Sequence, residues 1–320
     1  MTLNQLKVFV LAVRLGSMRA AAQALGVSEP AVSQALTALR QSLGDPLLVR
    51  EGSAMVLTPA GRRVVGLASQ MVNLAVEAEA AVRHAHGSPE LIRVAATATV
   101  GEAVVPALLQ AYTNRATNVE ATLGIGTVEE LTALLTERLA DVAIGPRLTG
   151  PGAEGILSEP LQRYRLAFVA ARADPLAANG PVTLARLRDV DWLVDPSGTD
   201  PLSEVGYLLG HARVPESRIR VFPSQSAAWA AAAAGNGIAP AVEHIFIASI
   251  HPGLAFVPVQ GSPFPMFWYA SMLGGERTPA TAIRLRRFLA TPDALQAMYR
   301  TDGGVPASKF RPPVHVTIWN

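Results

Sequence analysis

Leu3, Leu6, Val10 and Val13 recur three and four residues apart, which predicts an amphipathic helix over residues 3–15, ended by Gly16. Residues 18–25 predict a second, short helix. Gly26, directly after Leu25, supplies the left-handed residue that ends it. A third helix starts near Glu29, with Ser28 placed to accept a backbone N–H at its start and Pro30 in its first turn. Its apolar face is Val32, Leu36, Leu39 and Leu43, closed by Gly44. Ala22 is small where two helices must approach, and Val32 points back toward Ala22 and Leu25. The opposite face carries Ser33, Gln34, Thr37 and Arg40, free to meet base edges or phosphates. A short helix, a tight turn and a second helix is the device that enters the DNA major groove. The competing reading is an ordinary helical hairpin with a solvated polar face.

Beyond Asp45-Pro46, the apolar runs Leu47–Val49 and Met55–Leu57 flank Glu51-Gly52-Ser53, which predicts a small hairpin beside the third helix. Arg50 at its edge suits a phosphate or minor-groove contact, or else is a solvated surface arginine. Thr58-Pro59 then opens a helix with no strong breaker before Gly87-Ser88-Pro89. At 1.5 Å per residue it is about 40 Å long. Val64, Leu67, Met71, Leu74, Ala78 and Ala81 alternate spacings of three and four, a narrow seam that suits a helix–helix dimer or packing on the chain's own body.

From Leu91 the pattern changes to strands alternating with helices, an α/β architecture. Strands read at 91–96, 119–126, 141–145, 166–171, 192–194, 219–222, 238–240 and 264–270. Helices read at 100–114 and 128–139. The first strand ends at Ala96-Thr97-Ala98-Thr99 and the second at Gly126-Thr127, each before a helix, where free N–H groups and hydroxyls suit an anion or simple capping. Arg147 can pair with a carboxylate. Ser197-Gly198-Thr199 and Ser224-Gln225-Ser226 are strand-to-helix turns able to close on a ligand. Together these residues favour a small organic anion. The last residues, Val314 to Trp319, alternate like a strand and suggest a tail that packs on the α/β body or across a subunit boundary.

Composition sharpens the division. Residues 1–65 hold seven arginine and lysine residues against three carboxylates, a local net +4 in a chain of net +2. A basic segment on a mildly acidic body fits a nucleic-acid module joined to something else. The chain has no cysteine, which excludes disulfides, thiolate catalysis and cysteine-based metal sites. No stretch is long and apolar enough to span a membrane, and residues 1–15 are amphipathic rather than a leader, so a cytoplasmic location is expected. There is no Gly-x-Gly-x-x-Gly or Walker loop, and the histidines are scattered, with His84-x-His86 only a weak metal signal. No catalytic residue, metal or cofactor is expected.

Residues 3–61 resemble the LysR-type transcriptional regulators. The resemblance lies in Leu6–Phe9, Gly16-Ser17-Met18 with Ala20-Ala21-Ala22, Leu25-Gly26-Val27-Ser28, Pro30-Ala31-Val32-Ser33, Leu47-Leu48-Val49-Arg50 and Leu57-Thr58-Pro59-Ala60-Gly61. It implies a winged helix-turn-helix over residues 1–58, a dimerising linker helix over 59–87 and a two-lobed effector domain over 88–303, like a periplasmic binding protein. Lobe one takes about 91–161 and 268–300, lobe two about 162–267, with crossings near 161–168 and 263–271. A tail, 304–320, lies outside the general family pattern. The resemblance also implies DNA contacts at Ser17, Arg19, Pro30, Ser33, Gln34 and Arg50, beside Ser28 and Thr37 on the same surface. Glu29 and Gln34 depart from the residues common there. Effector contacts would fall on Thr97, Thr99 and Thr127, with Arg147, Ser197 and Ser226 as further candidates. The implied partners are double-stranded DNA, a small effector and further copies of the chain, as a homodimer or homotetramer. The alternatives are a constitutive DNA-binding protein without an effector and an enzyme that carries a helix-turn-helix.

Overall fold

Gly26 does take the left-handed conformation (φ 66°), and nothing lies within 4 Å of a Cβ built on it, so the backbone angle rather than space calls for glycine. A computed structural model of the chain describes residues 1–51, 54–116, 118–248 and 251–299. The tail 304–320 falls outside them. Among the described residues the chain divides into two compact units, one of Met1–Glu90 with Ala133–Ala140, the other of Leu91–Thr132 with residues 141–299.

The first unit opens with α1 (Leu3–Arg14), α2 (Met18–Leu25) and α3 (Glu29–Leu43). Their apolar faces meet in one core, where Phe9, Val32 and Leu39 are fully buried and Ala22 and Leu36 nearly so. Ser28 is the N-cap of α3 by backbone conformation, yet its hydroxyl makes no capping bond, against expectation. The hairpin comes next as β1 (Leu48–Glu51) and β2 (Ala54–Leu57), antiparallel with Arg50 opposite Met55. Arg40 is also corrected: its Nη2 donates to the Leu48 carbonyl at 3.2 Å and ties α3 to the hairpin. Asp45 Oδ1 accepts from the Leu47 N–H and the Thr58 hydroxyl, both at 2.7 Å. Thr58 Oγ1 in turn accepts from the Gly61 N–H at 2.9 Å and caps α4 (Pro59–Ala85). A Cβ on Gly61 would lie 2.1 Å from the Leu47 carbonyl oxygen, so only glycine lets the hairpin cross the start of α4. Along α4 the expected stripe divides. Val64 packs on the unit's own core, whereas Leu67, Met71 and Leu74 are exposed.

The second unit runs through β3 (Glu90–Ala96), α5 (Ala98–Ala103), α6 (Val105–Arg115), β4 (Val119–Ile125), α7 (Val128–Thr136), β5 (Val142–Gly145) and β6 (Ile156–Ala171). It continues with α8 (Pro175–Ala178), β7 (Trp192–Val194), α9 (Glu204–Ala212), β8 (Ile219–Val221), α10 (Gln225–Ala233), β9 (Ala239–Val242), α11 (Glu243–Ala248), β10 (Leu254–Phe256), β11 (Phe264–Leu273), α12 (Ala280–Leu289) and α13 (Pro292–Met298). The expected helix 100–114 is two helices, because Pro106 lacks an N–H and crowds the preceding turn. The expected strand 166–171 is the end of a much longer one. β6 and β11 pair antiparallel from Ile156 opposite Leu273 to Phe264 opposite Leu166. β5, parallel to β3, joins β11 at Tyr269–Ser271, while β9 and β10 join β6 over 166–171. Two groups of elements thus sit at opposite ends of one shared strand pair. The strand order is β10-β6-β11-β5-β3-β4, and β7 and β8 form a small parallel sheet of their own. Buried Asp141 fastens β5 to β3, accepting from the Arg93 N–H at 2.8 Å and from Arg93 Nη2 at 2.7 Å.

Candidate nucleic-acid interface and effector cleft

The core of the first unit decides which side of α3 is free. Burying Val32, Leu36 and Leu39 turns Ser28, Pro30, Ser33, Gln34 and Thr37 outward, and all five are exposed. Pro30, Ser33, Gln34 and Thr37 line a shallow concavity on that surface. Thr37 donates to the Ser33 carbonyl at 2.9 Å, which leaves its oxygen lone pairs outward. Ser17 caps α2 by accepting from the Ala20 N–H at 3.2 Å, and Arg19 is exposed beside it. Arg50 sits on β1, but its side chain falls outside the described ones. The surface offers hydroxyls and an amide at the start of a helix, with an exposed cation near by. That combination can contact phosphates and base edges.

The expected effector residues lie in the second unit. Thr97, 5% exposed, directly follows β3, and the Gly126 N–H bonded to the Ala96 carbonyl at 3.0 Å holds the end of β4 beside it. The expectation of free N–H groups here is corrected at three places. The Thr97 N–H donates to the Ile144 carbonyl at 3.2 Å. The Thr127 N–H donates to Glu130 Oε2 at 2.7 Å, while Thr127 Oγ1 accepts from the Glu130 N–H, a reciprocal cap. The Val128 N–H donates to Asp200 Oδ2 at 3.0 Å. The start of α7 is therefore already occupied by two carboxylates of the same chain. Thr99 is half-buried in the first turn of α5 and Arg147 is exposed after β5. Ser197 turns inward, with N and Oγ both on Asp195 Oδ1 at 2.9 and 2.5 Å. Ser226 is exposed on α10, which is capped by Ser224 instead. Thr97, Thr127 and the loop holding Ser197 come together; Ser226 shows no contact with them.

The Val128–Asp200 bond joins the elements at the two ends of the β6–β11 pair, where an effector cleft is expected. Several of its residues were not anticipated. Tyr164, on β6, donates to Glu204 Oε1 at 2.5 Å and stacks on Trp268 at 4.2 Å between ring centroids. Burial raises the pKa of Glu204, and the neighbouring charges of Asp200 and Asp195 add to that. Burial, and then the Glu204 charge, hold the Tyr164 hydroxyl well above its ordinary value. Glu102 on α5 is also raised, by burial and by Asp195. Gln162 is 5% exposed, and neither polar atom of its amide has a hydrogen-bond partner. The alternation of buried Gln162, Tyr164 and Leu166 was readable as a strand face, but not what that face would meet. Among the described residues no three histidine or carboxylate groups converge as a metal site, and no helix is long and apolar enough to cross a membrane.

Comparisons with known proteins agree with this division. Residues 3–62 match the family model described as bacterial regulatory helix-turn-helix protein, lysR family, and residues 85–292 match the LysR substrate binding domain. An uncharacterized HTH-type transcriptional regulator of Mycobacterium tuberculosis is 33% identical over 324 residues, with 100% of both chains covered. The HTH-type transcriptional activator CmpR of Synechocystis sp. is 25% identical over 272 residues, 84% of this chain and 88% of that one. Among solved structures, full-length CbnR complexed with its target DNA has a TM-score of 0.63 at 26% identity, covering 90% of this chain and 99% of that one.

Proposed function

The chain belongs to the LysR family of helix-turn-helix regulators, and we propose that it reads promoter DNA with the outward side of α3 while a small effector in the cleft of its second unit tunes that reading. It is a transcriptional regulator, not an enzyme. The observation that carries the DNA reading is the exposure of Ser28, Pro30, Ser33, Gln34 and Thr37 together on one helix side. The likeness to CbnR, solved on its target DNA, supports it. Ser33 and Gln34 read base edges, while Ser17, Ser28 and Arg19 position the module on phosphates. The exposed Leu67, Met71 and Leu74 form the seam between two copies, which matches paired half-sites on DNA. Effector binding shifts the balance between two arrangements of the effector domain.

Selection of bound fragments from genomic DNA, with footprinting of the selected sites, tests this. The expected result is a two-part site whose affinity falls steeply with salt. Gln34→Ala should relax sequence preference without abolishing non-specific binding. Failure to enrich any sequence, or a footprint unchanged by both Ser33→Ala and Gln34→Ala, refutes the assignment.

A further inference from the structure

The concavity on the outward side of α3 runs from Ser28 to Gln41, and among the described residues every side chain lining it is neutral. The one arginine of α3, Arg40, is turned to the hairpin by its bond to the Leu48 carbonyl. Glu29, the helix's one acid, is exposed but lies off that lining. This neutrality limits what the surface can recognise. In the major groove guanine presents O6 and N7 to the donors of an arginine or lysine, and cytosine presents an N4 donor to a carboxylate. An A·T pair presents other targets: adenine N6 and N7 take an amide in two bonds, and thymine projects a methyl group that takes an apolar contact.

The concavity holds the second set of partners and lacks the first. Gln34 is exposed, and no bond within the described residues holds its amide. Ala31 is exposed three residues before it, and Ala38 is half-buried four residues after it. Residues three and four apart share a helix side, so the three form one line, an amide between two methyl groups. At 1.5 Å per residue each methyl lies about 5 Å from the amide along the axis, roughly one to two steps of the duplex. Thr37 beside them has given its hydroxyl proton to the Ser33 carbonyl at 2.9 Å, so it donates nothing to guanine.

We infer that α3 reads A·T pairs in each half-site, with Gln34 on N6 and N7 of an adenine and with Ala31 and Ala38 against thymine methyl groups of the flanking pairs. This rests on the DNA reading above and names the bases that reading selects. Charge for the phosphates comes from outside the concavity, with Arg19 exposed on α2.

The test takes the strongest site selected by the full-length protein and alters single atoms of the DNA, which leaves the protein untouched. Adenine or thymine is expected at the positions where Gln34→Ala relaxes the preference. Replacing that adenine by 7-deazaadenine, which lacks the N7 acceptor, should weaken binding about threefold or more, and the loss should disappear in Gln34→Ala. Replacing the flanking thymines by uracil, which removes only the methyl groups, should weaken it about twofold or more. Guanine or cytosine at the positions that Gln34→Ala relaxes overturns the inference and leaves DNA binding standing. Indifference to 7-deazaadenine overturns the adenine contact, and indifference to uracil overturns the methyl contacts. Failure to select any site defeats the DNA reading itself.

Discussion

Replacing Gln162 by leucine tests the structure at the point where it departs most from ordinary packing. The side chain is 5% exposed, beside Trp268 and on the face of Tyr164, and neither Oε1 nor Nε2 is partnered. Leaving a buried polar group unsatisfied costs about 1–3 kcal/mol. Leucine removes both polar atoms at roughly constant volume, although its branch in a slot shaped for a straight chain takes back about 1 kcal/mol. The expected net effect is a gain of up to about 2 kcal/mol. For a unit of this size each kcal/mol moves the melting temperature by about 2–4 °C. Urea titration monitored by tryptophan fluorescence and circular dichroism reads it, with an unchanged m-value as the condition for comparing midpoints. A midpoint that stays put or falls at constant m, in this variant and in Gln162→Met alike, refutes the claim that the amide is unsatisfied. Gln162→Met, straight and apolar, separates polarity from shape: only if methionine also fails to stabilise is the reasoning about polarity wrong.

Gly61→Ala should lower stability by about 1–3 kcal/mol, because its Cβ would meet the Leu47 carbonyl at 2.1 Å. Gly66→Ala, five residues along the same helix with open space around it, should instead raise stability by about 0.5–1 kcal/mol, so equal effects in thermal denaturation would defeat the argument. Gln34→Ala should cost about 1–3 kcal/mol on the selected site but little on random DNA. Arg19→Ala should instead lower the slope of log affinity against log salt by about one, as read by fluorescence anisotropy. For pH, burial raises Glu204, so the folded chain keeps a proton that the unfolded chain has already released. Its contribution is fully present below the ordinary carboxylate range and is lost as pH rises through the raised value. Glu204→Gln should therefore gain stability relative to the parent from mildly acid to neutral pH in urea unfolding. A pH-independent difference would rule that out.

Much of the DNA-binding unit was legible in the chain itself. Helical spacing, a glycine stop, proline in a first turn and a threonine cap are local devices, and the folded chain uses them at Gly26, Pro30 and Thr58. The outward side of α3 came from Val32, Leu36 and Leu39 needing one core. Local reasoning went wrong where a local option was overruled from afar. Ser28 could cap α3 and does not, and Arg40 could face DNA but serves the Leu48 carbonyl. In the second unit, alternation located most strands but missed that β6 runs from Ile156 to Ala171, because its pairing with β11 carries it past Pro160.

Spacing along the chain was enough to establish a basic three-helix module, its turn and the α/β class of the larger second unit, since each depends on residues a few positions apart. The charge and chemistry of the cleft were decided elsewhere. Asp200 reaches the start of α7 across 72 residues of sequence, and Tyr164 reaches Glu204 across 40. A helix start that looks open to a ligand in one dimension is filled in three, because a distant carboxylate finds the same unpaired N–H group that a ligand would.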